Sequence, residues 1–154
     1  MRSDRQPSRP SLDSERGTIS PKRIRLVIAD DHQGFLEEVG FFLAAEFDVL
    51  SAVRDGASLV RAASELRPDL IVTDIDMPNL SGPEASREIL RRGNARGAVA
   101  LTVCNQPEVV RKCRESGILG YVLKVDAGDE LVAAVKCVSR GGEYESRGVR
   151  KNAV

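Results

Sequence analysis

The chain has no apolar run of the ~18 residues that a membrane-spanning helix requires, so no membrane span is expected. Its N-terminus is polar and lacks the apolar stretch of a secretory leader, which predicts a cytoplasmic protein. Cysteine is scarce. Cys104, Cys113 and Cys137 are odd in number and form no C-x-x-C pair, which argues against a disulfide framework or a zinc site and for buried free thiols. Histidine is scarcer still, with His32 alone, and a single histidine without a nucleophile partner makes a poor catalytic triad. An excess of one charge is also missing, since 23 Lys and Arg balance 23 Asp and Glu over 154 residues.

That balance hides an uneven distribution. Residues 1–23 carry six basic against three acidic side chains, and residues 140–154 carry four against two. The stretch between them holds 13 basic and 18 acidic residues, a net of −5, which does not suit a nucleic-acid-binding surface. The length is that of one domain with one core of ordinary size. Residues 1–23 contain Pro7, Pro10 and Pro21, several serines and few aliphatics. They bury too little apolar surface to offset the entropy of ordering, and a disordered tail is expected there.

From Ile24 the pattern becomes regular. Ile24 to Ala29 runs into Asp30-Asp31, and Leu70 to Thr73 runs into Asp74. Ala98 to Leu101 delivers Thr102, and Gly120 to Leu123 delivers Lys124. Asp48 to Val53 reads as a further strand. Short β-branched and leucine-rich runs alternating with helical patterns predict a parallel α/β sheet, whose ligands bind outside the carboxyl ends of the strands. Three carboxylates, a hydroxyl and an ammonium would meet at that edge, a set suited to a divalent cation and a phosphoryl group.

Between the strands, Phe35, Leu36, Val39, Phe42 and Leu43 recur at helical spacing, as do Leu59, Val60, Ala63 and Leu66 ahead of Pro68. Pro83 and Pro107 stand where a first helical turn tolerates proline. Gly117 is the expected stop of the fourth helix, and Gly141-Gly142 that of the fifth. Asp126 is the expected N-cap of the fifth helix. The sum is five strand–helix units over 24–142, with 143–154 as a short tail.

Asp-Asp after the first strand, Asp74-x-x-Met77-Pro78 after the third, Thr102 after the fourth and Gly120-Tyr121-x-x-Lys124 at the fifth resemble the receiver domain of bacterial two-component response regulators. Ala29-Asp30-Asp31-His32 and Gly117 to Lys124 are most similar to the NarL/FixJ-type subgroup. The resemblance covers Ile24 to Gly142. It implies a flavodoxin-like (CheY-like) five-stranded parallel sheet with helices on both faces. It further implies that Asp74 is the phosphoacceptor and that Mg2+ is bound by Asp31 and Asp74 directly, by Asp30 through water, and by the backbone carbonyl of Asp76. Thr102 and Lys124 would contact the phosphoryl group, and Thr102 and Tyr121 would act as the switch pair. The implied partners are a histidine kinase or phosphotransfer protein and, downstream, another protein or a second copy through the surface of the fourth helix, fifth strand and fifth helix. The resemblance implies a phosphoacceptor rather than a classical enzyme, one expected to promote its own phosphorylation and slow dephosphorylation.

The chain departs from that subgroup in two ways. The DNA-binding helix-turn-helix usual after such receivers does not fit within Glu143 to Val154, so specific DNA binding by this chain is not expected. Asp76, two residues after the phosphoacceptor position, adds a carboxylate that faces the site if its side chain turns inward; Cys104 borders the same site. Two rival readings stand beside the receiver. Leu70 to Asp76 also resembles the Asp-x-Asp start of haloacid-dehalogenase-like phosphatases, with Asp74 as nucleophile and Asp76 as general acid, but Pro78 stands where that motif carries Thr or Val. A receiver-like interaction module that never takes phosphate is the other, and the complete acidic set argues against it. Singly, each residue has a plainer role: Asp30 and Asp31 as a strand-end pair, Thr102 as a β-former, Lys124 as a surface charge and Tyr121 as a partly buried aromatic.

Overall fold

The structure, a computed structural model, describes residues 22–152. The expected disorder of residues 1–23 falls almost wholly outside them. Strands β1 (Arg25–Ala29), β2 (Asp48–Val53), β3 (Leu70–Thr73), β4 (Gly97–Thr102), β5 (Gly120–Leu123) and β6 (Tyr144–Glu145) form one sheet. Their order is β2-β1-β3-β4-β5-β6, and every pairing is parallel. The helices are α1 (Gln33–Ala44), α2 (Gly56–Leu66), α3 (Gly82–Arg91), α4 (Pro107–Glu115), α5 (Ala127–Ser139) and α6 (Arg147–Asn152).

Strand side chains alternate between two cores, as the two-residue period of a strand demands. Leu26, Ile28, Leu70, Val72, Val99, Leu101 and Val122 point to one face and pack with Leu36, Val39 and Leu43 of α1 and Leu131, Val135 and Val138 of α5. Val27, Ala29, Ile71, Ala98, Ala100, Tyr121 and Leu123 point to the other, against α2, α3, α4 and Val149 of α6. Burial on both faces explains why the central strands read as continuous apolar runs rather than alternating ones.

The predicted helix punctuation holds at most sites. Pro83 lies in the first turn of α3 behind a Ser81–Glu84 capping box, and Pro107 opens α4. Gly117 and Gly141 take positive φ just past α4 and α5. Among the described residues no helix is long and apolar enough to cross a membrane.

Three expectations need correction. The sheet has six strands, not five, because residues 143–152 add β6 to the outer edge of β5 and then fold into α6. Asp126 does not cap α5. Its backbone continues a 3-10 turn over Lys124–Asp126, and its carboxylate instead accepts hydrogen bonds from Ser146 Oγ (2.7 Å) and Gly148 N (3.0 Å). Of the three free cysteines only Cys113 is fully buried, with burial pushing its thiol up to about 11; Cys104 and Cys137 are half-buried.

The new segment is anchored mainly by polar contacts. Ser146 is fully buried, and its hydroxyl accepts from Leu123 N (3.0 Å) while donating to Asp126. Buried Glu130 of α5 accepts from Tyr144 Oη (2.7 Å) and Arg147 N (2.9 Å). Asn152 Nδ2 reaches the carbonyl of Asn105 at 2.7 Å, in the loop between β4 and α4.

Candidate functional site

The carboxyl ends of β1, β3 and β5 bring the predicted charges together. Strand pairing of Ala29 with Thr73 sets Asp30 beside Asp74, each one residue beyond its strand. Lys124 follows β5 directly, and its Nζ lies 2.8 Å from Asp30 Oδ2 and 3.6 Å from Asp74 Oδ2. Ligand atoms of Asp30, Asp31, His32 and Asp74 all fall within 4.8 Å of one another.

Each carboxylate is held differently. Asp30 is buried and its Oδ1 accepts from His32 N at 2.9 Å. Asp74 is buried and its Oδ1 accepts from Ile75 N at 2.8 Å, leaving Oδ2 toward Lys124. Among the described residues, Asp31 Oδ1 is buried with no hydrogen-bond partner, although the His32 Nδ1 stands 3.2 Å away. An orphaned buried carboxylate oxygen is costly and calls for a cation or water. The donor set is oxygen-rich, which fits a hard divalent cation such as magnesium; the exposed His32 ring is not a ligand type that magnesium favours.

Electrostatics mark Asp74 as the perturbed group. Burial raises its pKa above the ordinary carboxylate value, Lys124 pulls it back, and the neighbouring Asp30 and Asp31 raise it further. A buried carboxylate shifted by its neighbours and placed beside an ammonium is a recurrent signature of a functional site.

The chain packs tightly around Asp74. A Cβ at Gly82 would stand 2.0 Å from the Asp74 carbonyl oxygen, so the start of α3 approaches the acceptor loop as only glycine allows. Asn79, in the same loop, takes a positive φ of 71°.

Thr102 is buried at the end of β4, paired in register with Leu123 next to Lys124. Its Oγ1 accepts from Cys104 N at 3.3 Å. Tyr121 is buried rather than surface-lying, and its hydroxyl donates to the Cys104 carbonyl at 2.8 Å. The ring therefore already fills the space beneath the β4–α4 loop. The condition set for Asp76, a side chain turned inward, is answered by its exposure. Asp76 lies on the rim of a groove between α3 and α4 that Glu84, Arg87 and Lys112 also line.

Sequence reasoning missed one neighbour of the site. Phe35, taken as one apolar residue of the α1 stripe, sits in the first turn of the helix with its ring centroid 4.5 Å from Lys124 Nζ. Its place four residues after Asp31, about one helical turn, is the available signal, but helical periodicity assigns it to the core.

Known proteins are similar to this chain in sequence and in fold. The profile of the response regulator receiver domain matches residues 26–136. Transcriptional regulatory protein DegU of Brevibacillus brevis is 35% identical over 138 residues, which are 88% of this chain and 58% of that protein. Transcriptional regulatory protein LiaR of Bacillus subtilis is 33% identical over 120 residues, 77% of this chain and 57% of that protein. The chain thus spans less than two thirds of these relatives. Among solved structures, a two-component response regulator of the LuxR family from Aurantimonas sp. SI85-9A1 superposes with a TM-score of 0.79 at 26% identity, covering 85% of this chain and 95% of that one. The signal receiver domain of NarL from Mycobacterium tuberculosis gives 0.72 at 25% identity, covering 79% and 99%. The matched residues include the whole acidic cluster and Lys124, and the chain belongs to the response regulator receiver domain family of two-component signalling.

Proposed function

We propose that Asp74 accepts a phosphoryl group from a histidine kinase or phosphotransfer protein and that the phosphoaspartate switches a protein-interaction surface. The observation that carries this reading is the buried Asp74 carboxylate with a raised pKa, facing Lys124 Nζ at 3.6 Å beside an orphaned Asp31 oxygen. A carboxylate oxygen of Asp74 attacks phosphorus, the bond from phosphorus to the donor breaks, and the donor atom keeps the electron pair. The product is an acyl phosphate, and the domain supplies positioning and charge compensation rather than a chemical acid or base.

Asp31 and Asp74 would hold Mg2+ directly, Asp30 through water, and the Asp76 backbone carbonyl would complete the protein's share. When bound, the ion supplies the positive charge that a phosphoryl group needs among three carboxylates. Lys124 is poised between Asp30 and Asp74, so a short movement of its ammonium brings it to a phosphoryl oxygen. Thr102 would turn its hydroxyl from Cys104 N toward the phosphoryl group, which disturbs the β4–α4 loop.

That loop is where the switch would be read. Tyr121 ties it to β5 through Cys104, and Asn152 ties it to α6 through Asn105. The edge of β5 is covered by β6, so the surface offered to a partner or a second copy comprises α4 and α6 as well as α5. A phosphatase using Asp74 and Asp76 is disfavoured, because Asp76 is exposed in the α3–α4 groove and is not among the groups that cluster with Asp74.

Incubation with a small acyl phosphate, with and without magnesium, tests the proposal. One phosphoryl group should be taken up, only with the metal, and should map to the peptide containing Asp74. Uptake independent of divalent cation, or on another residue, overturns it.

A further inference from the structure

Among the described residues, the Lys124 ammonium lies close to Asp30 Oδ2 at 2.8 Å, to Asp74 Oδ2 at 3.6 Å and to the ring of Phe35, 4.5 Å from Nζ to centroid. The first two are the acidic groups of the site. The third is an aromatic face, and an ammonium within about 6 Å of a ring centroid is attracted by the ring quadrupole. The Lys124 side chain is only 15% exposed, so little water competes for that attraction.

We propose that Phe35 is a positioning residue for phosphoryl transfer, holding the Lys124 ammonium over the acidic cluster so that it meets the incoming phosphoryl group without first being recruited from solvent. The inference rests on the reading of Asp74 as phosphoacceptor. A lysine side chain has many rotamers, and immobilising it during the reaction costs rate. Phe35 removes that cost beforehand. It is well placed for the task. It occupies the first turn of α1, four residues after Asp31, and is partly buried against the α1–α5 core. The ring restrains the ammonium through a non-bonded contact, which leaves Lys124 free to shift between Asp30 and a phosphoryl oxygen. A leucine at this position preserves apolar packing but has no quadrupole, which separates positioning from mere core filling.

Two measurements test this. In the unphosphorylated protein, ring current from Phe35 should move the NMR signals of the Lys124 ε-methylene protons upfield. Phe35→Leu should abolish that shift and Phe35→Tyr should keep it. Absence of the shift in the native protein overturns the proposal, whatever the chemistry at Asp74. The initial rate of phosphorylation by a small acyl phosphate with magnesium is the second readout. Phe35→Leu should slow it about fivefold, and Phe35→Tyr should return it to within about twofold of the native rate. In a Lys124→Ala background the same Phe35→Leu change should have no further effect. A native rate in Phe35→Leu, or an equal loss with and without Lys124, overturns the positioning role. If the native protein shows the ring-current shift but takes up no phosphate, the phosphoacceptor reading fails instead, and the role of Phe35 in transfer with it.

Discussion

The Tyr121 hydroxyl donates to the carbonyl of Cys104 at 2.8 Å, joining the middle of β5 to the loop that follows Thr102. Burial of the ring pushes the phenol pKa upward, so the hydroxyl stays a donor throughout the physiological range. Thr102 Oγ1 meets the same residue from the other side through Cys104 N. A change at Thr102 is therefore felt at Tyr121 through one loop residue.

Replacing Tyr121 by Phe keeps the ring and removes the bond. A net hydrogen bond contributes about 1 kcal/mol, so amide exchange across Cys104–Gln106 should accelerate about fivefold while the global melting temperature changes little. Unchanged exchange in that loop would show that the tyrosine does not restrain it.

Asp74 makes the opposite kind of contribution to stability. Its folded pKa is raised, chiefly by burial, so the native state binds that proton more tightly than the unfolded chain does. The associated stability is present below the unfolded pKa and is lost as pH rises through the folded one. In the absence of divalent cations, Asp74→Asn should raise the melting temperature by several degrees at pH 7 and have progressively less effect toward pH 3. A variant that is less stable than the native protein at pH 7 would contradict this sign.

The C-terminal segment should detach in acid ahead of the core. Hydrogen bonds from Ser146 and Gly148 hold the Asp126 carboxyl below its usual range. Its contribution is present above the unfolded pKa and is lost as pH falls through the depressed folded value. Ser146→Ala leaves Leu123 N without its acceptor, a local cost of about 1–3 kcal/mol. Amide protection in 144–152 should fall in that variant while α1 and β1 keep theirs. Uniform loss across the domain would show that the segment is part of the global folding unit.

These groups show what the sequence makes legible. Asp30, Asp31, Asp74, Thr102 and Lys124 could be placed together because each ends an apolar run, and parallel strands bring such ends to one edge. The C-terminal segment gave no comparable signal. A strand of two residues carries no period, and its anchors Asp126, Glu130, Tyr144 and Ser146 act through polar contacts between positions far apart in sequence. At Asp126 a local rule, acid before helix, competes with a partner twenty residues on, and the distant partner wins. The periodicity of Phe35 marks the apolar face of α1 without revealing that its ring meets Lys124.

Intact-mass spectrometry of the native protein and of Asp74→Asn, each after incubation with acetyl phosphate and magnesium, tests the central claim most directly. The native protein should gain a single phosphoryl group, and Asp74→Asn, with the acidic pair and Lys124 unaltered, should gain none. Equal labelling of the two proteins would contradict the assignment of Asp74 as the phosphoacceptor.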